Sequence, residues 1–357
     1  TFYLETTNRP IQAAFIGGLS LLTRPDALLF IVPLGLERLR QLWLKSPTRP
    51  SVAELFAFLA PVMPWVIIAT VVYGQPLPHS ILAKVGAYHL PREAAFVRLL
   101  QNFATPFMGN LLFGRIGIGI GLLFLPALSI MGWLRICRVR VEAWPLAVYP
   151  WVYFAAFSIA NPLIFRWYLS PPLPLYVLGI VLGLDGLTRS RRAQPIRIAA
   201  SGLIIVLLLN SWTLKPDQGP IRPAPKMAYI KLEQIYTQVA ERLQPALKPE
   251  DVIAAGDIGA LGYFTDARIL DTVGLVSPVT LEYFPIPDSY YVINYAIPPE
   301  LIMDQQPQYI VILEVYGREG LLRDSQFNRE YQLIDSIPTD IYGSRAMLVF
   351  KRRPAAE

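Results

Sequence analysis

Along its first 212 residues the chain alternates between long apolar runs and short polar steps; after that the spacing of its apolar positions changes. Seven runs stand out: Ile11–Leu22, Pro25–Leu36, Val52–Tyr73, Leu111–Leu134, Ala143–Ala160, Ser170–Leu187 and Ile198–Trp212. A helix needs about 20 apolar residues to cross a bilayer, so the first two must tilt or pack as shielded partial spans. The steps between runs alternate in charge. Three are basic, with Arg38, Arg40, Lys45 and Arg49 in one, Arg135, Arg138 and Arg140 in the next, and Arg189, Arg191, Arg192 and Arg197 in the last. The opposite set (Arg24, Lys84, Arg92, Arg98, Arg115 and Arg166) is sparser and spread over more residues. Because basic loops stay cytoplasmic, the alternation predicts seven crossings with the C-terminal segment on the outer side. Thr1–Thr7 reads as the end of an earlier helix, so the pattern also predicts spans upstream of Thr1.

Past Trp212 the chain enters a Pro-rich linker, residues 214–226, and then a mixed pattern. Met227–Leu243 spaces Ile230, Leu232, Ile235, Val239 and Leu243 at near-helical intervals and predicts an amphipathic helix. Strand-like runs follow at Val252–Ala255, Arg268–Leu270, Tyr309–Leu313, Tyr331–Ile334 and Ala346–Phe350. The expected fold class is therefore an α-helical polytopic membrane domain, residues 1–213, followed by a small extracytoplasmic α/β domain, residues 227–357.

Composition sharpens this division. Of 357 residues, 54% are hydrophobic and only 16% charged, against about 25% charged in ordinary soluble domains; the mean hydropathy is +0.40. Residues 1–213 hold seven acids and 18 bases, whereas residues 214–357 hold 19 acids and 14 bases. The net charge of +6 averages two unlike bodies, so it does not point to nucleic acid as a partner. A single cysteine, Cys137, gives neither a disulfide framework nor a thiolate cluster, and two histidines, His79 and His89, make no metal site without carboxylates.

The predicted outer steps carry the candidate chemistry. In LLTRPDALLF, residues 21–30, Pro25 suits the first turn of a helix, and Thr23 or Asp26 can cap it. Arg24 is not explained that way, because a helix N-terminus repels a cation. In residues 73–106 a Pro-rich turn leads into amphipathic stretches of the kind that lie in a membrane interface, with Lys84, Arg92 and Arg98 as cations for phosphate, whether of general lipid or of one lipid-linked substrate. In NPLIFRWYLSPPLPLYVLG, residues 161–179, Arg166 sits among aromatics where it can snorkel, and Trp167 and Tyr168 suit an aromatic belt. If Arg24, Lys84 and Arg166 converge, they form an anion site beside an apolar wall, which suits a polyprenyl phosphate.

Three of these stretches, LLTRPDALLF, YGQPLPHSILAKVG and FRWYLSPPLPLYVLG, resemble in that order motifs of bacterial multi-spanning glycosyltransferases of the GT-C class. The mannosyltransferase-like and arabinofuranosyltransferase-like members, which use polyprenyl-phosphate sugars, are the nearest in kind. AAGDIGALGYFTDARILDTVGLVSP, residues 254–278, is similar to the extracytoplasmic C-terminal domain of many such proteins. The resemblance implies transfer of a sugar from a polyprenyl-phosphate donor to an extracytoplasmic glycan, lipid or protein at the outer face of a bacterial plasma membrane. It implies Arg24, Lys84 and Arg166 on the donor phosphate, with His79 and Tyr168 as substrate contacts, and a divalent metal as an optional helper. The family's catalytic aspartate usually lies in the first external loop. The chain departs from this, since its membrane half offers only Asp26 and Glu93 as external acids; either the base lies upstream or Asp26 takes that role. No nucleotide is expected: Gly256, Gly259 and Gly262 are spaced G-x-x-G-x-x-G rather than as a dinucleotide fingerprint. Asp257 and Asp271, at strand ends, either touch an acceptor or cap turns. The tyrosine-rich stretch from Tyr283 to Tyr295 suits sugar stacking or a membrane-facing cover. A flippase for lipid-linked saccharides would share the greasy groove and the cations, but internal repeats, common in alternating-access folds, are not visible; a non-enzymatic membrane scaffold would explain the missing acid pair but leaves the three cations unaccounted for.

Overall fold

The computed structural model describes residues 9–46, 49–105, 114–187 and 228–354, with a few isolated positions between 194 and 202; for 114–117 and Arg166 only the backbone is described. The chain divides into two compact units, residues 1–77 with 92–212, and residues 78–91 with 213–357.

The first unit is helical. Pro10 opens α1 (Pro10–Thr23), and a single 3-10 turn at Pro25–Ala27 leads into α2 (Leu28–Trp43). A capping box between Ser51 and Glu54 starts α3 (Val52–Tyr73), and Gly74, at φ 75°, ends it. After α4 (His79–Gly86), which belongs to the second unit, come α5 (Ala94–Ala104), α6 (Gly114–Val139), α7 (Trp144–Ala160) and α8 (Leu173–Leu187).

Three stretches of this unit are long and apolar enough to cross a membrane: Val52–Tyr73, Ile118–Val139 and Val141–Ala160. Pro10–Thr23 and Leu173–Leu187 are apolar but shorter. The run predicted at Pro25–Leu36 is instead a turn followed by α2, whose second half carries Glu37, Arg38, Arg40 and Gln41. Most of Ile198–Trp212 and all of the 214–226 linker lie outside the described residues. Helix α3 shows why a bilayer is the fitting solvent. Apart from Glu54 and Ala69 it buries no residue fully, and Phe56, Ile67, Val71 and Val72 stand open along an uncharged surface.

Helices approach one another where side chains vanish. A Cβ on Gly18 would collide with the Phe58 carbonyl, which sets α1 backbone to backbone against α3. Between α6 and α8 the same holds at Gly132, against the Gly179 carbonyl, and at Gly183, against the Leu128 carbonyl, while a Cβ on Gly179 would strike the side chains of Ser129 and Trp133. The contact is stitched by Ser129 Oγ donating to the Tyr176 carbonyl at 3.0 Å and Trp133 Nε1 donating to the Leu175 carbonyl at 2.9 Å. Such small-residue seams let membrane helices gain packing and interhelical hydrogen bonds where hydrophobic burial offers little. Helix α5 lays its apolar face, Ala95, Leu99 and Phe103, into this unit. Its Ala95 N–H donates to Asn161 Oδ1 at 2.9 Å and its Phe103 carbonyl accepts from the Tyr176 hydroxyl at 2.8 Å. The amphipathic pattern there serves protein packing as well as any interface.

The second unit is a small α/β body. Strands β1 (Val252–Ala255), β2 (Arg268–Asp271), β3 (Tyr309–Leu313), β4 (Tyr331–Pro338) and β5 (Ala346–Arg352) form one sheet in the order β2-β1-β3-β5-β4. β1 pairs in parallel with β2 and β3, while β5 pairs antiparallel with β3 and β4. β3 is buried along its whole length, as a central strand covered on both faces must be. Helix α9 (Ala228–Leu243) packs Leu232, Tyr236, Val239, Ala240 and Leu243 into the core. Residues 78–91 join this unit through Ala87, which is fully buried in the same core, through His89 N–H donating to the Asn294 carbonyl at 3.0 Å, and through His89 stacked on Tyr291 at 4.9 Å.

The α6–α8 seam makes a sharp prediction. Gly183→Leu or Gly179→Leu should push the helices apart and lower stability in detergent by more than about 2 kcal/mol. Gly119→Leu, where an added Cβ meets no neighbour, should leave the melting temperature nearly unchanged. Equal melting of all three variants would refute the seam.

Candidate functional site

The charged step in LLTRPDALLF folds into one compact cluster. Helix α1 ends as Arg24 leaves the helical region at φ −151°, and Pro25 starts the 3-10 turn that brings Asp26 back beside it. Arg24 Nε donates to Asp26 Oδ1 at 2.8 Å and Nη2 donates to Oδ2 at 2.6 Å, a bidentate pair. The hydroxyl of Tyr153, from the middle of α7, lies 3.3 Å from Asp26 Oδ2 and 2.9 Å from the Tyr168 carbonyl, its two available acceptors. The Arg24 guanidinium also stands 5.8 Å from the centre of the Tyr168 ring, within cation–π range. Asp26 is the better shielded partner, its side chain 14% exposed against 40% for Arg24.

This geometry assigns the two charges different chemistry. Both oxygens of Asp26 are taken up by the guanidinium, so the carboxylate holds Arg24 in one orientation. Arg24, by contrast, has five N–H donors and uses two on Asp26. Its remaining donors and its exposure leave it able to meet an anion.

The other residues singled out by their motifs are distributed differently. Lys84 and His79 lie on α4, at its last turn and its first residue, and α4 belongs to the second unit. Arg166 opens the 3-10 turn Arg166–Tyr168 in the first unit. Tyr168 joins the Arg24 cluster. Among the described residues no group of three or more His, Cys, Asp or Glu side chains is placed to hold a metal ion. Tyr153 is the member that the sequence pattern does not single out. Its one signal is a hydroxyl inside an apolar span, where a tyrosine needs a hydrogen-bonding partner.

In the second unit the two strand-end aspartates separate. Asp271 organises its own turn: fully buried, it accepts from the N–H groups of Val273 and Val276, both at 2.9 Å. Asp257, partly buried, follows β1 at the carboxyl end of the parallel strands, where β2 and β3 depart to opposite sides; such points commonly form crevices. Burial, and then the negative charges of Glu233 and Asp271, push its carboxyl up to about 6. The buried hydroxyl of Tyr236 lies close enough to help the charged form, but no acceptor completes a hydrogen bond of good geometry with it. The tyrosine-rich stretch has a structural task. Tyr295 donates to Thr272 Oγ1 at 2.7 Å and packs edge-on against Tyr88 and Tyr316, while Tyr291 holds His89.

Residues 227–350 match a family described as a domain of unknown function, DUF8728. The match spans the sheet-bearing unit from α9 into β5 and covers less than half of the chain. No curated protein and no solved structure matches.

The Asp257 environment yields a pH prediction. The carboxyl holds its proton more tightly folded than unfolded, so its contribution is complete below about pH 4 and is lost as pH rises through about 6. Asp257→Asn should therefore leave the β1 amides about equally protected from hydrogen exchange near pH 4. Near pH 7 it should raise their protection by on the order of 2 kcal/mol. A difference between variant and wild type that stays flat across this range would sink the assignment.

Proposed function

We propose that this chain is the membrane core and outer domain of a glycosyltransferase that takes its sugar from a polyprenyl-phosphate donor. In this reading it crosses a bacterial plasma membrane about seven times, keeps the α/β unit outside, and delivers the sugar to an extracytoplasmic glycan, lipid or protein. The observation that carries the proposal is the Arg24 guanidinium. Asp26 fixes its plane and Tyr168 lies under it, while donors and exposure remain for a phosphate, in a unit whose helices offer apolar length for a prenyl tail.

Arg24 would grip the phosphate as the bond to the sugar breaks, stabilising the charge that gathers on the leaving group. Arg is suited to this, because a planar fork matches two phosphate oxygens and stays charged. Asp26 and Tyr153 would act through Arg24, as positioning residues. Lys84 and Arg166 enter as further phosphate ligands, and His79 as a sugar or phosphate contact, on the resemblance of their motifs alone. The general base that takes the acceptor proton is not assigned to Asp26, whose oxygens are both engaged.

Binding of a short-chain polyprenyl-phosphate sugar to the purified protein in detergent tests this directly. Arg24→Gln should weaken binding by roughly tenfold or more, the value of a lost charge-assisted hydrogen bond. Asp26→Asn should weaken it less, by about threefold, because the guanidinium keeps its charge and loses only its brace. Unchanged affinity in Arg24→Gln, with the fold retained, would remove the phosphate role and with it this function.

A further inference from the structure

At the C-terminal ends of α6 and α8 the helical unit holds a second cationic feature. A cavity of about 230 Å³ opens between Gly132, Arg135, Ile136 and Arg140 on one side and Leu182 and Asp185 on the other. We propose that it binds the phosphate of an anionic phospholipid, with the arginines on the headgroup and the neighbouring apolar surface on the acyl chains.

Charge balance is the first argument. Elsewhere in this unit each buried or half-buried carboxylate among the described residues meets one arginine: Asp26 meets Arg24 at 2.6 Å, Glu54 meets Arg38 at 2.7 Å and Glu37 meets Arg40 at 2.8 Å. Here Arg135 stands 3.5 Å from Asp185, and Arg140 adds a second cation to the wall. Among the described residues that line the cavity, two arginines stand with one aspartate, an excess of one cation. The negative ends of α6 and α8 account for part of it, because cations favour helix C-termini. That effect is weaker than a charge-assisted hydrogen bond and leaves guanidinium donors for a ligand.

The walls give the second argument. Ile136, Val139 and Leu182 line the cavity itself, and Leu134 stands exposed on the same helix, which is long and apolar enough to cross a membrane. An inorganic anion gains nothing from such surroundings. A lipid phosphate with its chains running along α6 uses both parts, and basic pockets between membrane helices are suited to that class of ligand.

The test uses the full chain in nanodiscs of phosphatidylcholine, titrated with phosphatidylglycerol and followed by native mass spectrometry and thermal melting. Wild type should retain phosphatidylglycerol and melt higher with it. Arg135→Gln with Arg140→Gln should weaken retention by roughly tenfold or more, while Arg138→Gln, a cation on the same helix end outside the cavity, should match wild type. Arg140→Gln alone, at an exposed position, gives an intermediate loss if the double variant fails to fold. Equal retention by wild type and the Arg140 variants would overturn the proposal. An equal melting shift with inorganic phosphate in place of the lipid would overturn the lipid assignment.

Discussion

An ionised carboxylate among apolar helices has to be neutralised where it stands, and the helical unit is arranged around that demand. Stripping a charge of water costs several kcal/mol unless a partner and hydrogen bonds replace the water. Glu37, 2% exposed, shows how completely this is done. It accepts from Arg40 through two nitrogens, from Gln41 Nε2 at 3.0 Å, and from Trp144 Nε1 at 2.6 Å. Trp144 is the first residue of α7, so satisfying one carboxylate also joins α2 to α7. Glu54 pairs with Arg38 of α2 while its other oxygen caps the start of α3. Asp26 reaches Tyr153 and so ties the α1–α2 turn to the middle of α7. The polar residues that interrupt the hydropathy pattern are the joints of the assembly.

That arrangement bears on how a site can arise here. Arg24 owes its fixed orientation to the same pairing that makes Asp26 tolerable. Structural need and ligand binding therefore share a residue, and the exposure of Arg24 relative to Asp26 is what separates the two roles. The α/β unit uses arginine pairing too, as between Glu314 and Arg318, but adds two other arrangements: Asp271 is satisfied by backbone N–H groups, and Asp257 is left destabilised by its burial.

Much of this is legible in the chain itself. The five strand runs and the amphipathic helix at 228–243 come out where alternation and helical spacing put them, because each carries its own period. Val52–Tyr73 is likewise set by length and apolar content alone. The run at Pro25–Leu36 is different, because hydropathy does not register that Pro25 begins a turn that closes an ion pair. Residues 78–91 look by their apolar content like part of the membrane half. Their attachment to the α/β unit depends on Ala87, His89 and partners far along the chain, which no local pattern encodes. The Arg24–Asp26 pair is visible as two charges in a greasy stretch, but Tyr153 is not, since only folding brings residue 153 to residue 26.

The docking of residues 78–91 alters what the C-terminal unit is. The chain passes between the two units three times, near residues 77, 91 and 212. The α/β unit is thus laced to the helices by a loop as well as by its tail linker. A cut within residues 214–226 would sever one covalent connection and leave the other segment still gripped by Tyr88, His89 and Ala87. A fragment beginning at Met227 would in turn expose the core surface that Ala87 covers, so the natural boundary of this domain is not a single point in the sequence.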